Sequence, residues 1–370
     1  MNTGPSELSP KGEVQSLTAL RGVAALWVVL YHYDHHFAAD FGWLIGMGDL
    51  AVDLFFVLSG FIMVYVYRDR AHFRPFLFKR IARLFPVHFV TLAGVAAMIG
   101  IANLMGIQSD GKVEVWPVVV NLLCLQGWGL LDRLTLNYPS WSISAEFAAY
   151  LVFPFLAKPL LGMPLLRASL LSLVFAVACV WLAQATGRQI YLRSFDFSPV
   201  RILPEFVLGM MAARIGLETS MSPRAVLAAA SLPVAGGLYF ASPLMFIAGL
   251  PLLMLGLFLA DRPLPHVLLY LGRISYSLYM VHALVEKAGF TLAERALGTD
   301  LMPLWILPII LAAALAAAAF LHHAVEEPGR RALSSLAIGR RRSDRTIPAT
   351  EGRNRFARIR ALSRLLGEKR

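Results

Sequence analysis

The stretch LRGVAALWVVLYH, residues 20–32, decides how the chain is read. Its interior, from Val23 to Leu30, belongs in lipid, yet Arg21 stands near its start and His32 lies inside the apolar run. An ionisable side chain within a membrane helix costs on the order of 3 kcal/mol unless it is paired or solvated, so each one is a functional candidate by default. Eleven steps of about 100° bring His32 back to within about 20° of the face that carries Arg21, about 16 Å farther along the axis. That separation is too long for a salt bridge and suits the two ends of one extended ligand. Spacing alone does not exclude a plainer account, an interfacial arginine that snorkels and a satisfied core histidine.

Similar apolar runs recur from residue 17 to 324 in a chain of 370 residues that is 58% hydrophobic and 15% charged, with mean hydropathy +0.63. A soluble protein of this size needs more polar surface. The pattern predicts an all-α polytopic membrane protein, a bundle of about ten transmembrane helices. The expected spans lie near 17–38, 45–67, 81–106, 140–161, 166–186, 202–217, 225–241, 243–260, 267–290 and 303–324. Residues 114–131 are apolar too, but Pro117, Asn121, Gln126, Gly127 and Gly129 interrupt them and predict a re-entrant or half-inserted segment. The basic stretch RDRAHFRPFLFKRIAR, residues 68–83, sets sidedness: by the positive-inside rule this loop and both the N- and C-termini are cytoplasmic. An even number of crossings also keeps Lys158, Arg167, Arg214, Arg224 and Arg262 inside. One transmembrane domain over 15–328 is expected, between a flexible N-terminus (1–14) and a basic cytoplasmic tail (329–370).

That tail accounts for the charge. Twelve arginines and one lysine against Asp344, Glu351 and Glu368 give it ten of the chain's eleven net positive charges. Phe356, Ile359, Leu362 and Leu365 share a helical face among arginines, the pattern of a segment resting on anionic lipid. Membrane lipid is therefore the expected partner, and nucleic acid is not. Cys124 and Cys179 sit in apolar runs, which argues against a disulfide framework or a thiolate metal cluster. No cleavable signal peptide, P-loop, G-x-G-x-x-G or H-E-x-x-H is visible. His32, His36 and Asp40 have metal-ligand spacing, but the region reads as a solvated helix end and no metal is expected. His35 with Asp40 matches the H-x4-D string of glycerolipid acyltransferases, without the rest of that pattern.

Other polar groups within apolar runs carry more. Asp49 and Asp53 stack at i,i+4, and Asp53 needs a partner, for which a histidine or arginine of the first span is the obvious candidate. FKRIARLFP, residues 78–86, sets Lys79, Arg80 and Arg83 at a membrane boundary, either as interfacial anchors or as phosphate ligands. YPSWSISAEFAAYLVFP, residues 138–154, gathers Ser140, Trp141, Ser142, Ser144, Glu146 and Tyr150, as a sugar site or an aromatic belt would. GRISYSLYMVH, residues 272–282, places Ser275, Tyr276, Ser277, Tyr279 and His282 on a span. In HHAVEEPGRR, residues 322–331, His322 stands one turn from Glu326 and reads as a tie between the helix end and the tail.

Taken in order, LRGVAALWVVLYH, AVDLFFVLSGF, FKRIARLFP, PSWSISAEFAAYLVFP, GRISYSLYMVH and VEEP resemble the acyltransferase 3 family of integral membrane acyltransferases, over about residues 16–330. Members O-acetylate O-antigen, exopolysaccharide, Nod factors and macrolides. Arg21 and His32 match the family's R-x10-H motif, and Arg80 and Arg83 its R-x-x-R motif. Ala149 stands where an aromatic residue is usual, and Glu327 replaces the basic residue of a terminal E-[KR]-P; both changes bear on acceptor fit. The resemblance implies ten spans in a bacterial inner membrane, in the stand-alone form without a hydrolase-like periplasmic domain. It implies transfer of an acyl group, acetyl above all, from acyl-CoA to a hydroxyl of a carbohydrate or glycolipid. Macrolides and lipid-linked small molecules are the alternative acceptors. Acyl-CoA is then a co-substrate, and no tightly bound cofactor is expected.

In that reading His32 is the general base, with Asp53 or Glu146 to orient its ring. Arg21, Lys79, Arg80 and Arg83 receive the donor phosphates, and Trp141, Ser142, Tyr150, Ser275, Tyr276, Tyr279 and His282 line the substrate. The rival from another class is a polysaccharide or solute transporter, which predicts inverted repeats that the sequence does not display.

Overall fold

Backbone amides and carbonyls in a hydrocarbon environment must be satisfied within their own segment, so apolar runs of this length form helices. The computed structural model describes residues 12–68, 73–106 and 113–334, which are helical apart from loops and one isolated bridge between Phe37 and Met302. The helices are α1 (Gln15–Asp34), α2 (Trp43–Gly46), α3 (Leu50–Tyr67), α4 (Phe73–Leu104), α5 (Val115–Leu122), α6 (Trp141–Gly162), α7 (Leu165–Ala185), α8 (Pro199–Glu218), α9 (Pro223–Tyr239), α10 (Pro243–Leu259), α11 (His266–Leu297) and α12 (Ile306–Leu321). A π-helical turn, His322–Glu326, follows α12, and the helix then runs on to Ser334. The flexible ends and the amphipathic tail expected from sequence fall, for residues 1–11 and 335–370, outside the described residues.

Each of the ten apolar runs coincides with a helix. Six, namely α3, α4, α6, α7, α11 and α12 with its continuation, are long and apolar enough to cross a membrane, and α10 is a shorter apolar helix. The 20-residue helices α1 and α8 carry Arg21 and His32, and Arg201, Glu205, Arg214 and Glu218, which lower their hydropathy. The interrupted segment 114–131 contains only α5, whose eight residues rise about 12 Å against a hydrocarbon core of about 30 Å. Beyond it the chain turns at Cys124, which has φ 58°.

Two glycine contacts set the centre of the bundle. A Cβ on Gly60 of α3 would run into the Phe206 carbonyl of α8, and one on Gly209 into the Val57 carbonyl. A Cβ on Gly22 of α1 would sit 2.8 Å from the Gly272 amide of α11. Such small residues let helix backbones approach closely where lipid supplies no hydrophobic drive. Asp53 meets Arg201 at one end of α3 and α8, and Arg68 meets Glu218 at the other, so these two helices run parallel.

The helix ends sort into two sets. At one end the Ser16 amide donates to Asp261 (2.8 Å), and Arg214 donates to the Met163 carbonyl (2.8 Å). At the other the Met302 amide donates to the His36 carbonyl (2.8 Å), and the Ser198 amide to the Gly127 carbonyl (2.7 Å).

Candidate active site

The helices α1, α3, α4, α6 and α11 enclose a cavity of about 410 Å³. Arg21, Arg80 and Arg83 line it together with Ser59, Glu146, Tyr150 and Tyr276, and it reaches as far as Ser142, Ser275 and Tyr279. Segments far apart in sequence thus supply one wall of cations and one wall of hydroxyls. Val52, Phe55, Leu58, Ile62, Met63 and Ile143 complete the lining, and on α6 Glu146 falls between Ser142 and Tyr150, so the cavity is apolar over much of its wall with a carboxylate along its length.

At the cationic wall, one Arg80 nitrogen donates to the Tyr67 hydroxyl (2.7 Å), and the guanidinium lies over the Tyr67 and Tyr150 rings, 5.0 and 5.6 Å from their centroids. Arg80 Nε is buried with no hydrogen-bond partner. Glu146 accepts from Ser59 Oγ (2.8 Å) and from the Tyr150 hydroxyl. Glu326, in the π-helical turn, accepts from Ser277 (2.8 Å) and meets His322 Nδ1 (2.9 Å), as the sequence spacing anticipated. Both carboxylates act electrostatically on Arg21 and Arg83, and the two arginines act on each other. Glu13 also lines the cavity but is paired with Arg273 (2.9 Å), so Glu146 and Glu326 are the carboxylates left to offset three guanidinium groups, an arrangement suited to an anion.

Beyond the hydroxyl wall, Tyr279 and Ser142 stand 2.7 Å apart, and both reach the Pro139 carbonyl at 3.1 Å. His282, one turn farther along α11, brings its Nδ1 to 2.6 Å from the Tyr279 carbonyl. A carbonyl only accepts, so Nδ1 carries the hydrogen and the neutral ring leaves Nε2 as a lone-pair nitrogen. That Nε2 is buried and has no partner. The His282 ring stacks on His32 at 5.2 Å between centroids, and Tyr138 meets His32 edge-on at 5.0 Å.

The structure corrects the pairing expected for Asp53. Its partner is Arg201 of α8, which donates to both carboxylate oxygens at 2.7 and 2.8 Å, with Trp141 stacked 5.2 Å from the guanidinium. Asp53 is thus held by a cation of another helix, and Glu146 by Ser59 and Tyr150. The rings around His32 are those of His282, Tyr31 and Tyr138. Lys79 is exposed and lies outside this cavity, as do His32, Asp53, Trp141 and His282. His36 meets Glu286 (3.3 Å) rather than Asp40, and Glu286 also accepts from Tyr138 (2.6 Å).

Arg201 gives no hydropathy signal, because a span read as 202–217 begins one residue after it. Ser59 sits in the quoted block AVDLFFVLSGF, and only its hydroxyl in an apolar face marks it. Glu286 lies beyond the last quoted residue of GRISYSLYMVH.

Comparison with known proteins agrees with this arrangement of motifs. The sequence profile of a family described as an acyltransferase domain matches residues 14–323. Acyltransferase MdmB of Streptomyces mycarofaciens is 32% identical, over 90% of this chain and 94% of its own length. Exopolysaccharide production protein ExoZ of Rhizobium meliloti is 30% identical, over 72% of this chain and 84% of its own. The putative membrane-bound transacylase BcsY of Komagataeibacter xylinus is 28% identical, over 75% and 74%. No solved structure matches the chain. With the profile matched over residues 14–323 and the R-x10-H and R-x-x-R arginines brought to one cavity, the chain belongs to the acyltransferase 3 family of membrane acyltransferases.

Proposed function

We propose that the protein transfers an acyl group, acetyl by preference, from acyl-CoA to a hydroxyl of a carbohydrate or glycolipid in a bacterial inner membrane. The observation that carries this is the cavity itself, which brings Arg21, Arg80 and Arg83 together with Ser142, Tyr279 and a largely apolar lining. The donor phosphates lie against Arg80 and Arg83 with Arg21 next along the donor, and the thioester arm runs on through the cavity toward Tyr279 and Ser142. The donor comes from the end of the bundle where α1 begins, which the positive-inside rule assigns to the cytoplasm. An exopolysaccharide production protein among the relatives supports a carbohydrate acceptor.

In the reaction the acceptor oxygen attacks the thioester carbonyl and the carbon–sulfur bond breaks. His32 takes the hydroxyl proton and returns it to the departing thiolate, so that free CoA leaves. The imidazole stack with His282 holds the base in place.

Purified protein with labelled acetyl-CoA and a surface-polysaccharide acceptor tests the reading. Label transfer and CoA release are expected, and His32→Ala is expected to lower the rate by about 10²–10⁴-fold while inserting normally. Normal transfer by that variant overturns the assignment of the base. Solute flux through the wild type without CoA release overturns the enzyme in favour of a transporter.

A further inference from the structure

A second cavity, of about 210 Å³, lies on the far side of the arginine pair. It is lined by Tyr67, Lys79, Arg80, Arg83, Arg330 and Arg331, so Arg80 and Arg83 form a wall shared by both cavities. Arg330 and Arg331 come from the helical run after the π-helical turn. A π turn carries one residue more than an α turn, which rotates the side chains that follow by about 100°. Gly329 seats this run on α4, where a Cβ would meet the Pro86 ring at 2.8 Å. The two devices together deliver two arginines to the mouth of a site that α4 already makes cationic.

The charge in this basin is poorly matched by protein acids. Arg330 and Arg331 both reach Glu327, at 2.6 and 3.2 Å, but these are exposed pairs on one carboxylate and exchange readily for another anion. Arg80 Nε, on the shared wall, is a buried donor without an acceptor. A guanidinium takes phosphate through two parallel hydrogen bonds, and several phosphates on one ligand fit several guanidinium groups. Continuity with the inner cavity favours a nucleotide whose arm enters the protein over a lipid headgroup that stays at the surface.

We infer that this basin binds the phosphates of the donor's nucleotide, with Arg330 and Arg331 taking the ribose 3′-phosphate of CoA and Arg80 and Arg83 the diphosphate. Lys79 adds a further positive charge at the rim. The assignment rests on acyl-CoA as the donor. It gives the segment after α12 a place in donor selection and leaves Arg21 to the arm beyond the diphosphate.

Two donors and one double variant test it. The wild type and Arg330→Ala/Arg331→Ala are assayed with acetyl-CoA and with acetyl-dephospho-CoA, which lacks only the 3′-phosphate. The double variant is expected to raise KM for acetyl-CoA about tenfold and to leave KM for the dephospho donor unchanged. Equal KM values for acetyl-CoA in both proteins, or an equal rise for both donors, would overturn the 3′-phosphate assignment; the second result moves Arg330 and Arg331 to the diphosphate, which both donors carry. Calorimetric binding of CoA and dephospho-CoA reads the same difference without turnover. A wild type that transfers from neither donor yet binds CoA more tightly than dephospho-CoA, through Arg330 and Arg331, refutes acyl transfer and upholds the basin.

Discussion

His282 and His32 are the two imidazoles nearest the end of the hydroxyl wall, and only one of them has its tautomer fixed. The Tyr279 carbonyl holds the hydrogen of His282 on Nδ1, so the buried Nε2 is a ready proton acceptor beside the His32 ring. Asn at this position keeps a donor close to Nδ1 and removes Nε2. His282→Asn is therefore expected to fold normally and to lower kcat by about 10²-fold with little change in KM. Wild-type kcat in that variant would reduce His282 to a packing group. The sequence made both histidines candidates, since each is an ionisable residue in an apolar run, but it gave no means of joining them. They lie on helices separated by most of the chain, and a stack between rings leaves no periodicity behind. The same applies to Asp53 and Arg201. A buried carboxylate announces its need of a cation, whereas the helix that supplies it is set by packing.

Helices themselves were legible, because runs of apolar residues and the requirement to satisfy backbone groups in lipid point to one answer. Their neighbours were not, because glycine spacing shows where a backbone can approach without saying which helix does so. The α3–α8 contact illustrates the point: Gly60 and Gly209 oppose the Phe206 and Val57 carbonyls, leaving no room for a methyl group on either. Gly60→Ala is expected to destabilise the fold by about 1–3 kcal/mol through overpacking. Gly100→Ala on α4, where a Cβ meets nothing within 4 Å, is expected to stabilise it by about 0.5–1 kcal/mol through helix propensity. Thermal unfolding in detergent compares the two, and equal shifts would mean that α3 and α8 do not touch at these glycines. The contact matters for function because Ser59, next to Gly60, holds Glu146 at the cationic wall.

At the scale of the whole molecule the remaining question is which end faces the cytoplasm. The end where Ser16 meets Asp261 and Arg68 meets Glu218 also carries Lys79, Arg80, Arg83, Arg330 and Arg331. At the opposite end, Arg133 is paired with Glu114 and Asp132, and Arg188 and Arg193 with Asp196, so positive charge is balanced there. The positive-inside bias thus points the first end to the cytoplasm. Ten alternating crossings, the number expected from sequence, would put the mouth of the donor cavity on that side. A fluorescent protein that matures in the cytoplasm, fused after Arg370, is expected to be bright. Alkaline phosphatase, which needs an oxidising compartment, is expected to be active when inserted after Gly187 and inactive after Arg262. An active phosphatase after Arg262 with a dark C-terminal reporter would invert the molecule and place the arginine wall where no acyl-CoA is made. Activity at both insertion sites would instead remove crossings from the stretch between them, where α9 and α10, at 17 residues each, are the shortest of the ten helices after α12.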